Sequence, residues 1–526
     1  MRAPRPDDPA DDPPRDPTRW WTLGVLCLSL TLVMLSNASM NVALPSIARE
    51  LDASSSELQW IVDAYALVFA GLLFAAGTIG DRFGRKRALQ LGLVLFLVAA
   101  AGGAFATTSA QVIAVRAVMG VGAAFVMPST LSIIANVFDA EERPQAISTW
   151  AGISAGAAAL GPPVSGLLLQ HFWWGSVFLL TAPIAFIALV AGHRLVPPSR
   201  DPDGTRLDLG GVALSILAAS ALVYAVVEAP HNGWLSTSTV VVGAVGVGAV
   251  IGFVAVERRT THPMLELGLF RDPHFSVPSA GIAMLYFTTF GVFFLLTQVF
   301  QLVHGMTPVE AGLMILPVSL VLTVVSPRAP RLVRRFGASA VVTSGLVGVA
   351  VALLAMSRVA GQGTVWWFIP VLMAWAAGMA VTITPLTTLI MGAVPPNRAG
   401  MGSAMNDATR EMGGALGVAV LGSVASTLYL RGLPPLGSLR PPVIAEARRG
   451  LAGTLEAATE PGAPAGLAAA ARDAFVDAFA GSLVVGAAMA AVAAVLASRY
   501  LRAAGTARAD DRRETGHPRP SASAEP

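Results

Sequence analysis

The sequence predicts an all-α integral membrane protein. Of its 526 residues, 54% are hydrophobic and only 13% are charged, about half the charge of a soluble domain. The apolar residues gather into fourteen runs, each close to the roughly 20 residues that a helix needs to cross the hydrocarbon. The basic residues fall in short segments between runs, concentrated on alternate sides. The formal charge of +3 is small for the length, and loop-borne Arg of this kind marks topology rather than nucleic-acid binding.

Residues 1–18 are Pro, Asp and Arg with almost nothing apolar, the composition of a disordered tail. Acids mixed with the bases, and no small-residue cleavage site, exclude a secretory signal. The spans follow at about 20–47, 60–80, 88–107, 111–135, 145–169, 175–196, 209–228, 237–256, 277–302, 308–327, 338–357, 364–393, 402–429 and 474–500. An even number puts both termini on one side. With the N-terminus inside, the short cytoplasmic loops hold sixteen basic residues, and the short outer loops hold only Arg49 and Arg358. That asymmetry places both termini in the cytoplasm and predicts a multi-pass protein of the cell (inner) membrane. Segment 430–472 becomes a long outer loop, whose Arg residues count little because long loops translocate regardless of charge. Residues 504–526 read as a polar, disordered tail.

The chain is organised around Gly77–Arg87, read GTIGDRFGRKR. An apolar run stops there, five charges follow, and a second run begins at Ala88. Gly77 and Gly84 allow close approach and chain reversal, and the Arg/Lys cluster fixes the turn on the cytoplasmic side. Pro330–Gly337 echoes Gly77–Gly84 at an offset of 253 residues, with Arg335, Phe336 and Gly337 matching Arg82, Phe83 and Gly84. Arg334 replaces Asp81, so the second copy is degenerate. Such a repeat points to a chain made from two related halves.

Charges inside spans are costly and are functional candidates by default. Asp63 lies in the second span, Arg116 in the fourth, and Asp407, Arg410 and Glu411 in the thirteenth. Asp407 and Glu411, four residues apart, share a helix face, and Arg410 can pair with Asp407. Neighbouring acids suit a carboxylate that alternates between protonated and ionised forms, because their charges push their affinities for protons apart. A pair that merely neutralises itself and stabilises the bundle is the other reading.

Several motifs carry a family resemblance. Gly77, Ile79, Asp81, Arg82, Gly84, Arg85 and Lys86 together resemble the loop signature of the major facilitator superfamily. Ile113-x-x-Arg116-x-x-Met119-Gly120-x-Gly122 resembles its fourth-span motif, whose Arg is linked to proton coupling. Gly156, Gly161, Pro162 and Gly166 in the fifth span resemble the motif typical of antiporters; small residues there let helices pack closely. Asn41–Pro45, Trp60–Tyr65, Phe178–Pro183 and Gly413–Gly417 are similar to the drug:proton antiporters with fourteen spans, the QacA/EmrB type. The resemblance covers about residues 20–500. It implies a major facilitator fold of two six-helix bundles, 19–200 and 261–503, with two extra central helices in 201–260.

The same resemblance implies proton-driven export of amphipathic compounds by alternating access, with no enzymatic activity, no cofactor, no metal and a monomeric state. Proton coupling would rest on Asp63, Arg116, Asp407 and Glu411. The loop motif Gly77, Asp81, Arg82, Gly84, Arg85 and Lys86 would hold the outward-facing state by pairing across the cytoplasmic ends of the halves. Ser36, Asn37, Asn41, Tyr65, Met405 and Asn406 are the expected cavity groups. Two departures matter. Ser36 stands where relatives often carry an acid, and the middle of the tenth span lacks the acid of dication exporters, with Glu310 only at its entrance. Monovalent cationic, zwitterionic or neutral substrates are therefore expected. A dedicated exporter of one endogenous metabolite or lipid is the alternative within the class, and an uncoupled membrane sensor the alternative outside it.

Other signals fall away. Gly152–Gly156 matches G-x-S-x-G, but a nucleophile elbow needs a strand and a sharp turn, and this stretch lies in an apolar helix. There is no nucleotide-binding P-loop and no H-E-x-x-H, so neither nucleotide nor nucleic acid is an expected partner. The only cysteine, Cys27, excludes an internal disulfide and reads as a small hydrophobe. His171, His193, His231, His262 and His304 sit at loops or span ends and read as interfacial.

Overall fold

A computed structural model describes residues 18–139, 142–200, 209–260, 267–361, 365–393, 399–436 and 439–514. The outer parts of both predicted tails, and Arg206, His262 and Arg398 in the loops, lie outside the described residues. The first bundle comprises α1 (Arg19–Glu50), α2 (Ser55–Phe83), α3 (Arg85–Ala104), α4 (Ser109–Val137), α5 (Arg143–His171) and α6 (Ser176–Leu195). The central pair is α7 (Leu209–Asn232) and α8 (Thr237–Glu257). The second bundle has α9 (Pro273–Gln298), α10 (Pro308–Val325), the short α11 (Ala329–Phe336), α12 (Ala338–Val359), α13 (Phe368–Ala393) and α14 (Ala399–Gly432). Two short helices, α15 (Pro441–Ala447) and α16 (Leu451–Ala457), precede α17 (Leu467–Glu514).

Thirteen helices among the described residues are long and apolar enough to cross a membrane; α5, with 29 residues, is the remaining long helix. Their outward faces carry bare apolar side chains, such as Val98, Phe186 and Ile251, as a lipid-facing surface requires. Proline inside α1, α4, α5, α6 and α13 is tolerated because neighbouring helices shield the freed carbonyls. The last helix runs to Glu514, so residues 504–514 are helical where the sequence predicted a disordered tail. That stretch is polar, but it is rich in Ala and Arg, which are strong helix formers.

The repeat extends further than its Gly-Arg core. Ser54 and Glu57 form a capping box at the start of α2, and Thr307 and Glu310 form the same box at the start of α10, again 253 residues on. Each box satisfies two N–H groups that a helix start leaves unpaired, and this is the role of Glu310. At the other end, Gly84 and Gly337 both turn the chain at positive φ, 115° and 81°, a region that favours glycine. Arg82 lies over the Phe83 ring at 5.5 Å, and Arg335 over Phe336 at 5.2 Å.

The two bundles meet along α2 against α14 and α5 against α10. α7 is wedged onto the first of these seams: Ala66 and Leu67 of α2, Val223 and Val227 of α7, and Ala415 and Ala419 of α14 form one apolar cluster. α8 packs on α7, and only 11% of its span is buried, so it faces lipid. The loop after α14 is folded, with Leu436, Leu439, Ala447, Ala457 and Leu467 closing a small core.

Candidate functional site

Asp63 and Tyr65 lie on opposite faces of α2, because two residues rotate a helix by about 200°. The Tyr65 face meets α4. There the Arg116 Nε donates to the Ile61 carbonyl at 2.9 Å, and its guanidinium lies 4.3 Å from the Tyr65 ring centroid. Arg116 is fully buried. Its Nη1 and Nη2, and the Tyr65 hydroxyl, lack hydrogen-bond partners. Opposite charge comes from the other bundle: Glu411 of α14 interacts electrostatically with Arg116.

The Asp63 face of α2 also carries Gln59, Ala66 and Leu67, which pack towards α14 and α7. Asp63 is fully buried there, and neither carboxylate oxygen has a hydrogen-bond partner. A polar group buried in this way costs several kcal/mol if left charged and unpaired. On α14, Arg410 Nη1 lies 3.3 Å from Asp407 Oδ1, as the spacing predicted. The same guanidinium sits 4.7 Å from the Tyr286 ring centroid of α9. Glu411 is buried, with Oε2 unsatisfied, as is Asn406 with its Oδ1 unsatisfied; Met405 is buried beside them.

The structure therefore brings Tyr65, Arg116 and Glu411 together across the two bundles, and Asp407 with Arg410 beside them. Asp63 stands apart, sealed on the seam with α7. Ser36 is buried in α1, and Asn37 is half-buried. Asn41 lies nearer the end of α1, where its carbonyl accepts a hydrogen bond from Thr297 Oγ1 at 2.8 Å. The sequence reading passed over Tyr286 and the glutamines Gln59 and Gln301. Each is an uncharged polar or aromatic residue in or beside an apolar run, the same signal that marked Asn41 and Tyr65.

Among the described residues, the side-chain bonds of the loop motif lie within its own bundle. Arg85 Nε lies 2.8 Å from Asp81 Oδ1, and its Nη1 donates to the Ser132 carbonyl. Lys86 Nζ donates to the His193 carbonyl at 2.7 Å, and Gly77 packs on Pro128.

The bundles are joined at the opposite end. Thr297 Oγ1 donates to Asn41, Gln301 Nε2 to the Val42 carbonyl at 2.9 Å, and Ser423 Oγ to Gln59 Oε1 at 3.4 Å. The folded loop adds two more bonds, Ser55 N–H to the Arg449 carbonyl at 2.7 Å and Arg449 Nη1 to the Asp52 carbonyl at 3.1 Å. Pro162 and Gly166 of the α5 motif sit on this seam. A Cβ on Gly166 would come within 2.5 Å of the Pro308 carbonyl oxygen, one on Gly312 equally near that of Pro162, and one on Gly161 within 2.6 Å of Ala38; Gly156 faces open space. Close packing of small residues thus closes the end away from the motif turn.

The chain matches the major facilitator superfamily over residues 26–418. It is 36% identical over 448 residues to the multidrug efflux pump LfrA of Mycolicibacterium smegmatis, covering 85% of this chain and 89% of that protein. It is 35% identical over 419 residues to the methyl viologen resistance protein SmvA of Salmonella typhimurium, covering 78% and 83%. The tetracenomycin C resistance and export protein of Streptomyces glaucescens is 31% identical over 408 residues, covering 77% and 75%. Among solved structures, a bacterial homologue of the lysosomal transporter Spinster superposes with a TM-score of 0.61 at 18% identity, over 93% of this chain and 98% of that one. With the family match covering most of the chain and relatives above 30% identity along most of their own length, the chain belongs to the major facilitator superfamily as a multi-pass membrane transporter.

Proposed function

We propose that the chain exports amphipathic compounds across the cytoplasmic membrane in exchange for protons, by alternating access, with both termini in the cytoplasm. The observation that carries the reading is the set of carboxylates sealed inside the bundle. Asp63 and Glu411 keep buried carboxylate oxygens without a hydrogen-bond partner, and Glu411 interacts electrostatically with the buried Arg116 of the other half. A proton or a cationic substrate would satisfy them. Binding of one in place of the other changes which arrangement of the halves is preferred, and coupling requires such a difference. Asp63, Arg116, Asp407 and Glu411 are the groups proposed to carry it. The positive-inside orientation makes the closed end the outer one, so this conformation would receive substrate from the cytoplasm. In the alternate conformation the Asp81, Arg82 and Arg85 turn would pair across the cytoplasmic ends. The names of the relatives support a drug-like cargo. With few acids in the interior, monovalent cations or neutral amphiphiles fit best.

A second reading is export of a single self-made compound, favoured by the similarity to the tetracenomycin exporter. Everted vesicles from an efflux-deficient host test both. Energised vesicles should accumulate a fluorescent monovalent lipophilic cation, and an uncoupler should abolish it. Transport that survives the uncoupler would overturn proton coupling. No transport of several unrelated amphiphiles would overturn the multidrug reading in favour of the dedicated one.

A further inference from the structure

We propose that the first bundle binds an anionic phospholipid at its motif end, with the headgroup phosphate between the α2–α3 turn and the segment after α6, and an acyl chain in the groove between α3 and α6. Two adjoining hollows carry the inference. The first, of about 480 Å³, is lined by Lys86, Arg87, His193, Ser199 and Arg200. The second, of about 350 Å³, is lined by Val94, Leu189, Val190 and Arg194. They share Gln90 and His193, so one leads into the other. Each helix passes from polar to apolar within about one turn, from Gln90 to Val94 on α3 and from His193 to Leu189 and Val190 on α6. This is the polarity of a lipid at the membrane boundary, with cations at headgroup level and a hydrocarbon wall beneath.

The site is built by the fold. The Arg85 N–H donates to the Ser199 carbonyl at 2.9 Å, and Lys86 Nζ is held on the His193 carbonyl. These bonds tie the segment after α6 across the turn and bring Arg200 beside Lys86 and Arg87. Lys86, Arg87, Arg194 and Arg200 form no ion pair with a described acidic residue, and Asp81 is taken by Arg85. A free phosphate would leave the apolar groove empty. A neutral lipid would leave these cations without an acidic partner among the described residues. An anionic phospholipid fills both, and basic pockets between helices favour such headgroups.

Native mass spectrometry of the purified full chain tests this. With equal amounts of dioleoylphosphatidylglycerol and dioleoylphosphatidylcholine, the protein should retain the phosphatidylglycerol preferentially. Arg87→Gln and Arg200→Gln should each weaken that retention about fivefold, while Arg358→Gln at the opposite end leaves it unchanged. Val190→Trp keeps every cation but fills the groove, and should lower retention of the dioleoyl lipid; it also gives an independent reading if the Arg variants fold poorly. Equal retention of the two lipids, or unchanged retention in the Arg and Trp variants, would overturn the proposal. Displacement of the lipid by inorganic phosphate alone would reduce the site to a simple anion pocket and overturn it too.

Discussion

Adding one methyl group to Gly166 should prise open the end of the molecule that is closed in this structure. The new Cβ would lie 2.5 Å from the Pro308 carbonyl oxygen, 2.7 Å from the Val309 Cα and 2.8 Å from the Pro308 carbonyl carbon. All three are backbone atoms on α10, so no side chain can rotate away and the helices themselves must separate. Overpacking of this kind costs about 1–3 kcal/mol. Because the contact joins the two bundles, the cost falls on the state closed at this end and spares a state in which α5 and α10 have parted. The equilibrium between states should then move by roughly 5- to 150-fold. Spin labels at Ala110 and Arg358, both near the closed end and in different bundles, would report it through double electron–electron resonance. Buried Cys27, the only native cysteine, makes such labelling clean. Gly166→Ala should add a longer-distance population, whereas Gly156→Ala, which meets nothing within 4 Å, should leave the distribution as in the wild type. Identical distributions for wild type and Gly166→Ala would refute the reasoning that this seam holds the end shut.

Three further outcomes follow from the site and the folded loop after α14. Arg410→Gln strips Asp407 of its partner and should lower thermal stability by about 1–3 kcal/mol; adding Asp407→Asn should restore the stability, and transport by that double variant would mean that the pair is structural rather than proton-carrying. Asp63→Asn should leave the fold intact while abolishing uncoupler-sensitive accumulation in everted vesicles, and undiminished accumulation would remove Asp63 from the coupling machinery. Thr454→Val deletes a hydroxyl that accepts from Tyr429 Oη at 2.6 Å and donates to the Ala447 carbonyl at 2.6 Å; it should loosen the folded loop after α14 and speed its limited proteolysis, and unchanged cleavage would show that these bonds do not secure the loop.

The sequence by itself determined the spans, because the bilayer demands about 20 apolar residues per crossing and runs of that length stand out in a chain with 13% charge. It also determined the Asp407–Arg410 pairing, since contacts at i,i+3 are a property of the helix alone. The turn at Gly84 and its echo at Gly337 were legible for the same reason. The front of the repeat, Ser54 and Glu57 matching Thr307 and Glu310, escaped a reading built on hydropathy because capping residues act through backbone hydrogen bonds. Only the tertiary structure decided what each face of α2 meets, and hence that Arg116 meets Tyr65 and Glu411 while Asp63 is sealed against α14 and α7. Spacing along one helix fixes angles around that helix but not which neighbour lies at each angle. The same limit explains why the sequence could mark Gly166 as small but could not say what it approaches: that partner, the backbone at Pro308, is some 140 residues away and is brought there only by the packing of one bundle against the other.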